Sequence, residues 1–255
     1  YSWSAIFKGF DKTKDCPFDV IPEYLAQQNF PEDFLSHLGK VTHIYTQDLK
    51  ISKKVAEFAF IEHVVDRPEE MINNVDMVLL ARDDAENHYK MAKVFIENGI
   101  PIFIDKPLAY NRDEAEKIYS INRSSLIYTC SSIRFAKEFS EKIFEGTNFV
   151  NATVMKSWER YGIHIIEPVV SMFPNRGRLI SIEKINSSKG VKIRVVKWEN
   201  LQATFTTTGK IKSPLSIDVM NINTSKNLLF KDTFYAFRES LRNFIRVTKN
   251  KKLNI

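Results

Sequence analysis

Apolar positions in the first half of the chain alternate between two periods. Val41 to Thr46, Phe60 to Val65, Val75 to Ala81, Pro101 to Ile104 and Ser125 to Thr129 are short, strongly apolar runs of the kind that form buried strands. Helical patterns lie between them. Ile51–Phe58 carries Val55, Ala56 and Phe58; Pro68–Asn74 has proline in its first turn; Glu86–Asn98 places Met91, Ala92, Val94, Phe95 and Ile96 on its apolar side and ends at Gly99. Asn111 is positioned to cap a helix running to about Asn122. Repeated strand–helix–strand with short connections predicts a parallel sheet covered by helices on both faces.

The texture changes from about Phe149. Residues 149–158 alternate as a strand, and 163–173 form an apolar helix with Ile163, Ile165, Ile166, Val169 and Val170. Five strand-like segments follow, at about 178–186, 191–198, 201–207, 214–222 and 226–231, without intervening helices. Asn186–Gly190 and Gly209–Pro214 supply turn chemistry. This pattern predicts a largely antiparallel sheet, with Phe234–Val247 as its amphipathic closing helix. The expected organisation is a Rossmann-type α/β domain over residues 1–132 and an α+β domain over 133–255.

Composition narrows the picture little. With 255 residues, 44% hydrophobic and 27% charged, the chain has the make-up of a globular protein, and no apolar run is long enough to span a bilayer. Cys16 and Cys130 offer neither a metal-binding spacing nor a disulfide framework, which suits a cytoplasmic setting. The net charge of +6 is scattered, so neither a nucleic acid nor a membrane is expected as a partner. The one dense basic run, Arg242, Arg246, Lys249, Lys251 and Lys252, suits the dipole at a helix C-terminus.

Candidate chemistry sits where two strands end. Val75-Asp-Met-Val-Leu-Leu-Ala81 runs into Arg82-Asp-Asp-Ala-Glu-Asn-His88, and Ile102-Phe-Ile104 runs into Asp105-Lys-Pro-Leu108. Parallel strands bring such ends to one edge of the sheet, the edge where open α/β sheets bind ligands. Lys106 is therefore a candidate for chemistry, or else a surface lysine after an edge strand. Asp48, just past the first strand, is placed either to take the adenosine ribose hydroxyls of a dinucleotide or to cap the next helix.

A doubly wound domain, Ile104-Asp-Lys-Pro-Leu-Ala109, Val75–Ala81 with His88, Ser132-Ile-Arg-Phe135, and a second domain opened by a helix carrying His164 together resemble the Gfo/Idh/MocA family of NAD(P)-dependent oxidoreductases. The resemblance extends over nearly the whole chain. Asp105 stands where the family pattern has glutamate. The resemblance implies hydride transfer between a nicotinamide cofactor and a hydroxyl or keto carbon of a sugar, nucleotide-sugar or cyclitol, in a protein that forms homo-oligomers. It implies that Lys106 handles the substrate proton, with a cis bond to Pro107 fixing its direction, and that His164 is a second acid/base group. The family's aspartate four residues before that histidine is Arg160 here; Glu159, Tyr161 and Glu167 are the nearby substitutes. Cofactor contacts are expected from Asp48, Arg82, Asn87, His88, Asp105 and Pro107, and His88 could instead simply open its helix. Asp48 favours NAD, while Lys50, Lys53 and Lys54 leave NADP open.

One expected piece is missing. The eight glycines form no Gly-x-Gly-x-x-Gly turn, and Tyr1–Phe10 looks like the helix that should follow one. The sequence thus reads as a fragment lacking the first strand and phosphate loop, and clipped after its last helix. In the strand order 3-2-1-4-5-6 that strand lies between 41–46 and 75–81, so both should lose a ladder partner. The alternative is a non-catalytic sensor or scaffold that kept the fold.

Overall fold

A computed structural model describes residues 1–121, 127–140, 146–187 and 190–250. The chain divides into two compact units, one formed by Tyr1–Thr129 with the segment from Phe237 on, the other by Cys130–Ala236.

The first unit opens with helices α1 (Ser2–Lys8) and α2 (Val20–Ala26). It continues with β1 (His43–Ile44), α3 (Leu49–Ala59), β2 (His63–Val64), β3 (Val78–Leu80), α4 (His88–Glu97), β4 (Ile102–Ile104), α5 (Arg112–Tyr119) and β5 (Ile127–Thr129). Local chemistry explains most of the boundaries. Asp48 Oδ1 accepts from Lys50 N at 2.8 Å to cap α3, and Asn111 Oδ1 accepts from Glu114 N at 2.9 Å to cap α5. Asn122, the expected end of that last helix, lies outside the described residues. Pro68–Met71 forms a short 3₁₀ turn rather than the expected helix to Asn74. Its backbone bonds are of the i to i+3 kind, from Glu70 N to Arg67 O at 3.2 Å, Ile72 N to Glu69 O at 3.0 Å and Asn74 N to Met71 O at 3.0 Å, a tighter winding that seldom runs beyond a few residues. α2 carries little apolar periodicity, and the sequence pattern did not predict it.

All strands of this unit are parallel, but they form two sheets. β1 pairs with β2, while β3, β4 and β5 pair in that order. Among the described residues no strand joins β1 to β3, so the expected loss of a ladder partner is present as a divided sheet. β4 is fully buried along Ile102, Phe103 and Ile104, as the middle strand of three should be. Phe103 anchors the face opposite to Ile102 and Ile104. Its ring lies 4.6 Å from Trp3 of α1 and 5.5 Å from Phe244 of the C-terminal helix.

The second unit contains β6 (Phe149–Val154), α6 (Trp158–Tyr161), α7 (Ile163–Met172), β7 (Leu179–Asn186), β8 (Lys192–Trp198), β9 (Gln202–Thr207), β10 (Ser216–Met220) and β11 (Ser225–Leu229). They build a six-stranded sheet in the order β11-β10-β6-β9-β8-β7. Every pairing is antiparallel except β6 with β9. Period-two burial runs through the centre: Val150, Ala152 and Val154 on β6, Ala203 and Phe205 on β9, and Ile217 and Val219 on β10 face the core with Ile165 and Val169 of α7. The edge strand β7 differs, because Leu179, Ile180, Ile182 and Ile185 are each at least half exposed.

Helix α8 (Thr233–Lys249) ends the described chain. The sequence pattern assigns it to the antiparallel sheet. In the structure its residues from Phe237 belong to the first unit, where Phe244 packs on Phe103 and Tyr128, and Asn243 Nδ2 donates to the Tyr128 hydroxyl at 2.8 Å. An amphipathic stripe specifies that a helix buries one face; it does not specify against which sheet.

Candidate active site

The C-terminal ends of β1, β3 and β4 carry most of the residues singled out in the sequence. Past β4, Lys106 is largely buried, its side chain 12% exposed, and its Nζ lies 3.8 Å from Asp105 Oδ2. The Lys106–Pro107 peptide is cis. Burial pushes the Asp105 carboxyl up to about 6, against the pull of Lys106. Above that pH a carboxylate stands beside the Lys106 ammonium.

Past β3, three of the named side chains serve one another. Arg82 Nε donates to Asp84 Oδ1 at 2.7 Å, its Nη2 donates to Oδ2, and Asn87 Nδ2 donates to that same Oδ2 at 2.7 Å. The Arg82 hydrogen bonds, with help from Asn87, hold the Asp84 carboxyl well below the usual carboxylate range. Asp84 is thus the hub of this loop, a role that composition alone does not signal. His88 is fully buried. Its Nδ1 lies 3.0 Å from Leu108 O and its Nε2 lies 2.9 Å from Arg82 O. Both neighbours are carbonyl oxygens, so the ring nitrogen that carries hydrogen donates to its backbone partner. In this position His88 ties the loop after β3 to the loop after β4. Its two nitrogens face backbone rather than solvent.

Asp48 caps α3, the structural alternative weighed above, and lies on the surface past β1. Beside it a cleft of about 120 Å³ is lined by Tyr45, Thr46, Gln47, Leu49, Val65 and Asp66, at the ends of β1 and β2.

The second unit holds His164, 8% exposed, in the first turn of α7. Gly162 makes that placement possible. A Cβ there would sit 2.8 Å from Trp158 O, so only glycine lets α6 turn so closely into α7. The histidine's partner is Ser131, whose Oγ lies 2.8 Å from Nδ1. None of the three substitutes for the family aspartate takes that place. Glu159 accepts from Lys192 Nζ at 2.5 Å. Glu167 accepts from Ser131 N at 2.5 Å and from Arg134 Nη1 at 2.8 Å. Tyr161 meets the imidazole edge to face at 5.2 Å. Burial pushes the Glu167 carboxyl up, with the Ser131 N–H and Arg134 pulling the other way. Sequence reasoning missed Ser131; its only signal was its position directly after a strand, one residue before Ser132-Ile-Arg-Phe135.

Residues 22–126, most of the first unit, match the model of the family described as "Oxidoreductase family, NAD-binding Rossmann fold". Over that stretch the chain is similar to the NAD-binding domain of the Gfo/Idh/MocA oxidoreductases. Solved structures of the same fold include a myo-inositol 2-dehydrogenase from Lactobacillus plantarum, at 10% identity and TM-score 0.69, covering 85% of this chain and 83% of that one. The dehydrogenase MviM from Clostridium difficile aligns at 12% identity and TM-score 0.69, covering 92% and 88%. GenD2 from gentamicin A biosynthesis, solved in complex with NAD, aligns at 11% identity and TM-score 0.72, covering 85% and 81%. A sequence comparison with curated proteins returns no match.

The matched family model describes an NAD-binding fold, and the donor set suits the two ends of such a dinucleotide. Thr46, Gln47 and Asp48 offer hydroxyl, amide and carboxylate groups past β1, as a ribose diol needs, and Lys106 past β4 suits a carboxamide or substrate oxygen. For the diphosphate, no glycine turn between a strand and a helix is found among the described residues. The fit is therefore good at the ends and lacks the usual backbone cradle between them.

Proposed function

We propose that the protein is an NAD(P)-dependent dehydrogenase or reductase acting on a hydroxyl or keto carbon of a sugar, nucleotide-sugar or cyclitol, with NAD the preferred cofactor. The observation that carries this reading is Lys106, buried with Asp105 at the end of the middle strand of a domain matching an NAD-binding oxidoreductase family. The bound nicotinamide supplies hydride acceptance or donation. Lys106 holds the substrate oxygen by a charge-assisted hydrogen bond and takes or gives its proton, so the C–O bond order changes without a charged oxygen being left behind. Asp105 balances the ammonium, and His88 keeps the Arg82 and Leu108 loops in register around it. His164, held by Ser131, has the second acid/base role. The exposed apolar side chains of β7 support a homo-oligomer, which light scattering on the purified protein would measure.

The test is a substrate panel with NADH, NADPH and their oxidised forms. Lys106→Ala should lower turnover by about 10²–10⁴-fold while dinucleotide affinity, read by nicotinamide fluorescence, stays within a few-fold. Full turnover in Lys106→Ala sinks the mechanism.

The second reading, a non-catalytic sensor or scaffold, draws support from the divided sheet and from a serine where the family histidine has a carboxylate. It expects no fluorescence change with either reduced dinucleotide.

A further inference from the structure

A groove of about 310 Å³ lies within the first unit between the turn at His37 and Leu38 and the last turns of α8. Leu38 and Ile245 give it an apolar floor. Arg242, Arg246 and Lys249 stand along one face of α8 at spacings of four and three residues, and no lining residue is a carboxylate. Arg242 is partly balanced, since its Nη1 donates to Glu239 Oε1 at 2.6 Å, a carboxylate it shares with Arg238. Arg246 donates only to the neutral Asn243 amide, at 2.7 Å, and neither Arg246 nor Lys249 has a carboxylate partner among the described residues.

The helix dipole accounts for part of this charge. A C-terminal turn carries about half a negative charge, which one nearby cation offsets. Three cations exceed that, Arg242 stands nearly two turns from the helix end, and the dipole does not call for an apolar floor. Nothing in the hydride chemistry at the ends of β1, β3 and β4 uses these residues.

We propose that this groove binds a small phosphate ester, with its dianion against Arg246, Lys249 and Arg242 and its apolar body on Leu38 and Ile245. A guanidinium offers paired donors to two phosphate oxygens, and the lysine adds a mobile point charge. The volume is at the lower end of small-molecule sites, enough for a monocyclic or bicyclic ester and too little to enclose a dinucleotide.

The test uses the full chain and 2-naphthyl phosphate, whose fluorescence reports its surroundings. Saturable binding with Kd below about 1 mM is expected. Arg246→Ala with Lys249→Ala should weaken it at least about tenfold through loss of two charge-assisted contacts. Both side chains are exposed, so the fold should be unchanged by circular dichroism; the single substitution Lys249→Glu is a second variant expected to weaken binding in the same direction. Absence of saturation, equal affinity in the double variant, or equal affinity for uncharged 2-naphthol would overturn the proposal. Displacement of the probe by a short DNA duplex at lower concentration than by inorganic phosphate would overturn it in favour of a nucleic-acid surface.

Discussion

The Ser131 hydroxyl lies 2.8 Å from Nδ1 of His164, while the Ser131 backbone N–H donates to Glu167 at 2.5 Å. One residue after a strand therefore fixes two side chains one turn apart on α7. The imidazole is oriented by a neutral hydroxyl, and the nearby carboxylate is committed to a backbone amide and Arg134.

Replacing that hydroxyl should be felt directly. Ser131→Ala leaves the buried His164 nitrogen without its partner and should destabilise the protein by about 1–3 kcal/mol. Ser131→Thr, which keeps the hydroxyl, should cost less. Urea denaturation of the three proteins checks this, and an unchanged midpoint in Ser131→Ala would show that the pair contributes nothing.

His88 should matter for stability before it matters for binding. His88→Ala removes a ring held between two backbone carbonyls and opens a cavity in a fully buried position, at a cost of about 3 kcal/mol. A loss below about 1 kcal/mol by chemical denaturation would mean that the ring is not holding the two loops together.

Asp105 predicts a pH dependence with a definite sign. Its folded-state value, about 6, is above the ordinary aspartate value near 4, so between these limits the folded protein binds the proton that the unfolded chain has lost. Stability should therefore fall as pH rises from about 4 to about 6, by up to about 3 kcal/mol, and the penalty should stay constant above that. Asp105→Asn should remove this component. Unfolding free energies of both proteins across pH 4–7, subtracted from one another, isolate it from other buried carboxyls such as Glu167. A flat difference would refute the assignment.

Two roles of Asp48 can be separated by one pair of variants. Asp48→Ala should cost about 1 kcal/mol through loss of the α3 cap, whereas Asp48→Asn keeps a good cap and should be nearly neutral. If the carboxylate also selects the unphosphorylated ribose, Asp48→Asn should shift the affinity ratio of NADH to NADPH toward NADPH while stability holds. An unchanged ratio would confine Asp48 to capping.

Much of this architecture was legible in the chain. The strand ends at Ala81 and Ile104, the caps at Asp48 and Asn111, and the period-two pattern of β6, β9 and β10 are local signals, each carried by fewer than a dozen consecutive residues. The position of Lys106, two residues past β4 at the C-terminal edge of the sheet, was legible for the same reason.

Relations between distant residues were not legible. Ser131 meets His164 across 33 positions, His88 meets Leu108 across 20, and Phe103 meets Phe244 across 141. The sequence by itself determined which segments are helix or strand and which polar residues end the strands, since backbone propensity and side-chain period act within a segment. Only the tertiary structure decided that α8 buries Phe244 under the parallel sheet and that a serine orients His164. Those outcomes depend on which surfaces meet, and hydrophobic burial is non-directional until the packing of the whole unit selects the partner.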